Sequence, residues 1–137
     1  MDAKQRLRNA YFLGLDVEAK RLELERLRSL MTAIPSSGSP RSRGPGGASG
    51  RLDRLVAKCA AIEAEVEGDV GRLLGELAAI RRQIARVQDP RLRLVLQRRY
   101  LCRESWEEIS SGQKIGIRWL HRLHARALQA FEGLDGR

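Results

Sequence analysis

His121 and His124 stand three residues apart near the end of this chain, interleaved with Arg118, Arg122 and Arg126. Two chemistries suit such a set. Paired histidines at helical spacing offer two ligands to zinc. Zinc wants further ligands, and neither Cys59, Cys102 nor a carboxylate sits at a matching interval. No metal and no cofactor is therefore expected. Guanidinium groups along one helix offer instead planar forks for guanine edges and fixed charges for phosphates. Other candidates are weaker. The GPGG of residues 44–47 has no Lys-Ser/Thr behind it, so it is not a phosphate loop. Glu63, Glu65 and Glu67 read as a solvated helix face. Nothing in the chain reads as catalytic machinery, and a non-enzymatic protein is expected.

Residues 98 to 131 must position these side chains, and they read as two short helices joined by a turn. Ser105 and Glu108 form a capping box, which starts a helix at Trp106. Trp106 and Ile109 give that helix an apolar side. It is expected to run about two turns, until Ser110-Ser111-Gly112 breaks the pattern. A second helix runs from about Gly116. Ile117, Leu120, Leu123, Ala127, Leu128, Phe131 and Leu134 recur at intervals that share one face. Arg118, His121, Arg122 and Arg126 fall on the other face or its flanks. Trp106 is expected in the core. Trp119 falls on a usually polar position, where it covers the core's flank, touches DNA or meets a partner.

This segment resembles the helix-turn-helix of region four of bacterial sigma factors. It is still more similar to small prophage proteins related to it, including the ArpU-type late-transcription regulators and an uncharacterised relative family. The residues that carry the likeness are Arg99-Tyr100-Leu101, Ser105 through Ile109, and Arg122-Leu123-His124 with Ala127-Leu128. Upstream, a helix ending ERLRSLMTAI, a Ser/Gly/Pro-rich gap and a helix closing on QDPRLRLVL keep the family's order. The turn departs from the family's apolar residue, Gly and Ser: here stand Gln113, Lys114 and Gly116. Gly is tolerated as an N-cap. Lys114 falls where a positive φ is wanted, a conformation easiest for Gly. The resemblance implies a sequence-specific transcription regulator of phage or prophage type that binds double-stranded DNA. Arg118, His121 and Arg122 would project toward base edges, and Lys114, Arg126, Arg98, Arg99 and Arg103 toward phosphates. Sigma region four also meets RNA polymerase, so docking on polymerase is an alternative. Small terminase subunits join such domains to oligomerising helices, so DNA packaging is another.

Composition agrees with this reading. Leu, Ala, Arg and Glu dominate and aromatics make up only 4%, which favours an all-α protein. The net charge is +9, and residues 90 to 137 carry ten Lys/Arg against five Asp/Glu, whereas residues 51 to 89 balance at seven each. A polyanionic partner fits that concentration of charge. No apolar run is long enough to span a membrane, and MDAKQRLRNAYFLG lacks the apolar core of a signal peptide. Two distant cysteines read as reduced thiols, and the expected place is the cytoplasm of a bacterial host.

The expected organisation has four segments. Residues 1–34 form an N-terminal helix with Leu7, Tyr11, Leu15, Leu22, Leu24, Leu27, Leu30 and Met31 as its apolar set, ended by Ile34-Pro35. Residues 35–50, rich in Gly, Ser and Pro, form a flexible linker. Residues 51–89 form a long helix whose stripe runs through Cys59, Ile62, Val66, Val70, Leu73, Leu77, Ile80, Ile84 and Val87. A stripe this narrow is a coiled-coil seam. It pairs either with the first helix as an antiparallel hairpin or, through residues 51–88, with its own copy in a homodimer. Gly68, Gly71 and Gly75 weaken that helix by roughly 1 kcal/mol each relative to Ala, with close helix approach as one purpose. Asp89-Pro90 stops it and opens a helix running to about Leu101, inside a domain of residues 90–137.

Overall fold

The structure is a computed structural model, and it describes residues 2–33 and 48–134. Every regular element among them is helical: α1 (Ala3–Thr32), α2 (Ala48–Ile84), α3 (Pro90–Leu96), α4 (Trp106–Gln113) and α5 (Ile117–Glu132). The Ile34-Pro35 stop and most of the expected linker lie outside the described residues. The last three linker residues, Ala48, Ser49 and Gly50, belong to the first turn of α2.

Alternating intervals of four and three residues put Ala3, Leu7, Ala10, Gly14 and Val17 on one side of α1, all buried, with Leu24 continuing the row. That is the period at which one helix faces another. The expected set differs from it. Leu15, Leu22 and Leu30 are exposed, while Ala3, Ala10 and Val17 take buried places.

The chain divides into two compact units that cut across the four expected segments. One joins Met1–Gly14 to Arg72–Arg137, and the other is Leu15–Gly71. In the second unit, α1 and α2 pair as an antiparallel hairpin. Leu24, Cys59 and Ile62 form its buried core, with Leu27, Met31 and Val66 packed around them. Asp69 takes a buried seam position, only 4% exposed, and accepts a hydrogen bond from the Lys20 ammonium at 2.6 Å. Asp16 lies 3.1 Å from the same ammonium. The hydrogen bonds to Asp69 and Asp16 raise Lys20 above the ordinary lysine range. Arg28 pairs with Glu63 at 2.6 Å further along. Gly68, Gly71 and Gly75 give no close approach within the chain, since a Cβ at any of them would meet open space.

In the other unit, Ala3, Leu7 and Ala10 of α1 share one core with Ile80, Ile84 and Val87, with Leu92, Val95 and Leu96 of α3, and with Leu120, Leu123, Ala127 and Phe131 of α5. Residues 90–134 therefore bury their apolar faces with help from the start of α1 and the end of α2. Gln83 shows how. It is a buried polar side chain whose Nε2 donates to the Phe131 carbonyl at 2.8 Å, and whose Oε1 accepts from Arg6 Nη1 at 3.3 Å. The Phe131 carbonyl lies in the last turn of α5, where it also accepts from the Leu134 amide at 3.1 Å. One amide thus joins the end of α5 to α1.

Asp89 caps α3 by accepting from the Arg91 amide at 2.9 Å, with Pro90 in the first turn. Arg93 Nη1 donates to the carbonyls of Val87 and Gln88 at 2.7 and 3.0 Å, which holds the corner between α2 and α3. The helix expected to reach Leu101 does so, but Gln97–Leu101 widen into a π turn, with the Cys102 amide bonding back to Gln97. Leu7 is fully buried in this unit. Leu7→Ala should lower stability by about 2–5 kcal/mol, read by chemical denaturation of the full chain with tryptophan fluorescence, since both tryptophans lie in this unit. An unchanged midpoint would separate α1 from the C-terminal core.

Candidate nucleic-acid interface

Ser105 begins α4 as its sequence requires. Its hydroxyl accepts from the Glu108 amide at 3.1 Å, and the Glu108 carboxylate accepts from the Ser105 amide at 3.2 Å. Ser110, Ser111 and Gly112 do not break the helix, which runs on to Gln113. The Ser110 hydroxyl bonds to the Ile115 carbonyl across the turn, and the Lys114 amide returns to the carbonyls of Ser110 and Ser111. The serines are thus used by the turn itself. Lys114 takes φ 55° and ψ 43°, the left-handed conformation its position demands. Gly116 then caps α5 with extended backbone.

α5 has two unlike sides. Leu120, Leu123, Ala127 and Phe131 are buried. Arg118, His121, Arg122 and Arg126 are exposed, as is Lys114 in the turn. Ile117 departs from the expected apolar face and is 39% exposed, and Trp119 is 41% exposed. At their spacing, Trp119, Arg122 and Arg126 lie along one flank of the helix. Ile117, His121, His124 and Leu128 lie along the other.

The remaining arginines expected at phosphates are turned inward. Arg98 Nε sits 3.1 Å from Glu104 Oε2 as an ion pair, without hydrogen-bond geometry. Arg99 is sandwiched between two aromatic faces, 4.3 Å from the Tyr11 ring centre and 4.2 Å from that of Trp106. It also donates to the Glu104 carbonyl at 3.0 Å. A guanidinium held between rings is worth up to about 2 kcal/mol or more when desolvated, so Arg99 ties α1 to α4. Arg103, at φ 53°, crosses over Gly14 so closely that a Cβ there would come 2.5 Å from its Cδ. Arg98, Arg99 and Arg103 therefore join the elements that carry the site, while Lys114, Arg118, His121, Arg122 and Arg126 form its outer surface.

Trp106 is half-buried and packs on the core from one side, with His124 at 4.6 Å and His121 at 5.1 Å from its ring. His124 Nε2 lies 2.7 Å from the Tyr100 hydroxyl. Burial lowers His124 from 6.5 to about 4, with the charges of Arg99 and His121 adding to it. Burial also raises Tyr100, against the opposing charges of Arg99 and Arg8. Both groups are neutral near neutrality, so the phenol and the imidazole Nε2 share one proton-bearing hydrogen bond whose direction follows the imidazole tautomer. The two histidines share the Trp106 ring as a neighbour, and no cluster of three or more metal-ligating side chains occurs among the described residues.

A cleft of about 270 Å³ adjoins this cluster, lined by Lys4, Arg8, Tyr11, Phe12, Arg99, Tyr100, Trp106, His124 and Leu128. Neither Lys4 nor Arg8 stands out in the sequence as a site residue. Only their place on α1, set by the buried Ala3-Leu7-Ala10 row, brings them here. A scan against models of protein families, a search of curated proteins and a search of solved structures each give no match to this chain.

The histidine environment has a direct consequence. The native chain refuses the His124 proton between pH 6.5 and about 4, whereas the unfolded chain takes it. Its contribution to stability is therefore complete above 6.5 and is lost as pH falls through that window. A proton NMR titration of the His124 ring should show a midpoint near 4 in the folded chain. A midpoint at the ordinary histidine value would contradict the buried Tyr100–His124 pair.

Proposed function

We propose that this chain is a non-enzymatic, sequence-specific DNA-binding transcription regulator of phage or prophage type, acting in the cytoplasm of a bacterial host. The observation that carries the reading is the two-sidedness of α5. Its four buried side chains fix the helix, and the same packing leaves Arg118, His121, Arg122 and Arg126 exposed. The capped α4, the left-handed Lys114 and the short turn support a helix-turn-helix similar to that of sigma region four. In this reading α5 enters the major groove. Arg118 and Arg122 address guanine O6 and N7 as bidentate donors, with His121 beside them. Lys114 and Arg126 meet phosphates and set register. Arg98, Arg99 and Arg103 act through the fold and not at the DNA.

A second reading has its own observation. Ile117 and Trp119 are exposed at the start of α5, apolar side chains where a groove-binding helix would carry polar ones. They favour docking on a protein, RNA polymerase being the partner the sigma-like likeness implies. Exposed aromatics of this kind often anchor protein interfaces.

Fluorescence anisotropy on duplexes selected for binding separates the two. Arg118→Ala and Arg122→Ala should relax preference at particular base pairs by about 1–3 kcal/mol with little loss of stability. Arg126→Ala should weaken all sequences alike and lower the salt slope by roughly one unit. Equal weak binding to every duplex, untouched by Arg118 or Arg122, would move the weight to the docking reading.

A further inference from the structure

The cleft beside Trp106 holds three cationic side chains, Lys4, Arg8 and Arg99, and no carboxylate among its lining residues. Arg99 is occupied by the rings of Tyr11 and Trp106 and by the Glu104 carbonyl. Lys4 has one distant ion pair, 3.8 Å to Glu132, with both side chains about half exposed. Arg8 is exposed on the rim. The cleft is joined to α5 by Trp106 itself, whose ring contacts exposed His121 and half-buried His124. It therefore lies along the Ile117–His121–His124–Leu128 flank of α5, on the side away from Trp119 and Arg126. A helix lying in the major groove has a phosphate backbone to either side of it. On the Trp119 flank, Arg122 and Arg126 are exposed cations. On the other flank α5 itself carries no Arg or Lys; Arg99 is held between two rings there, and the exposed cations of the cleft come from α1.

Resting on the DNA-binding reading, we propose that Lys4 and Arg8 contact the phosphodiester backbone of one DNA strand laid across this cleft, beside the groove occupied by α5. The N-terminal helix is then part of the DNA interface, not only of the hairpin. Its charge complements the polyanion, and Tyr11, Phe12 and Trp106 supply a surface for the apolar edges of the sugars. The burial of Ala3, Leu7 and Ala10 holds both cations at fixed points on the same unit as α5.

The test uses the full chain and a fluorescein-labelled mixed-sequence duplex of about three helical turns, titrated at several salt concentrations. Lys4→Gln and Arg8→Gln should each lower the slope of log K against log salt by about 0.9, and together by about twice that. Lys4→Arg and Arg8→Lys keep the charge and should keep the slope. Arg26→Gln, an exposed change in the Leu15–Gly71 unit, should leave it unaltered. An unchanged slope in the double variant, with Arg118→Ala and Arg122→Ala still altering base preference, overturns this proposal and leaves the DNA-binding reading standing. No binding of any duplex by the unmodified chain overturns both.

Discussion

The burial of one side of α5 is the constraint on which the C-terminal unit depends. Leu120, Ala127 and Phe131 are fully buried and Leu123 nearly so, and no other helix of the unit has as many fully enclosed side chains in so short a span. Each large apolar side chain contributes about 1.5–3 kcal/mol by leaving water. α3 and α4 pack against this helix, and the first turns of α1 close the same core. Fixing the apolar side fixes the opposite one. The charged residues of α5 are held outside by the same geometry that stabilises the fold, with the Gln83 amide anchoring the far end at the Phe131 carbonyl.

A second constraint is the use of arginine as a structural residue. In a basic chain with few aromatics, charge near the C-terminal helices looks available for phosphates. Two of the six aromatic side chains, Tyr11 and Trp106, instead clamp Arg99 between them. Arg98 has Glu104, and Arg103 spans Gly14. These side chains stiffen the support beneath α4 and α5. Lys114 and the arginines of α5 stay exposed, as do Lys4 and Arg8 of α1.

The sequence is legible where the physics is local. The Ser105–Glu108 box, the need for a left-handed residue at Lys114, the Asp89-Pro90 start and the spacing of Leu120, Leu123, Ala127 and Phe131 each depend on a few neighbouring residues. The stripe of α2 through Cys59, Ile62, Ile80 and Ile84 was legible for the same reason. What the sequence hid depends on partners far along the chain. Ala3, Ala10 and Gly14 are buried, Gly14 beneath the Arg103 side chain, and nothing in a small residue announces that. Leu22 and Leu30 look like core and are exposed because the seam runs beside them. The inward turn of Arg98, Arg99 and Arg103 needs Glu104, Tyr11 and Gly14 brought together in space. Ile117 fits the apolar period but, as the first residue of α5, stays partly exposed.

The central claim is that the exposed side of α5 reads DNA sequence. Its most direct test is selection of duplexes from a random pool by the intact protein, followed by sequencing of the retained molecules. The account predicts enrichment of a recurring motif with guanines at fixed positions, since arginine pairs best with the guanine edge in the major groove. Retention of the pool without any enriched motif would contradict it.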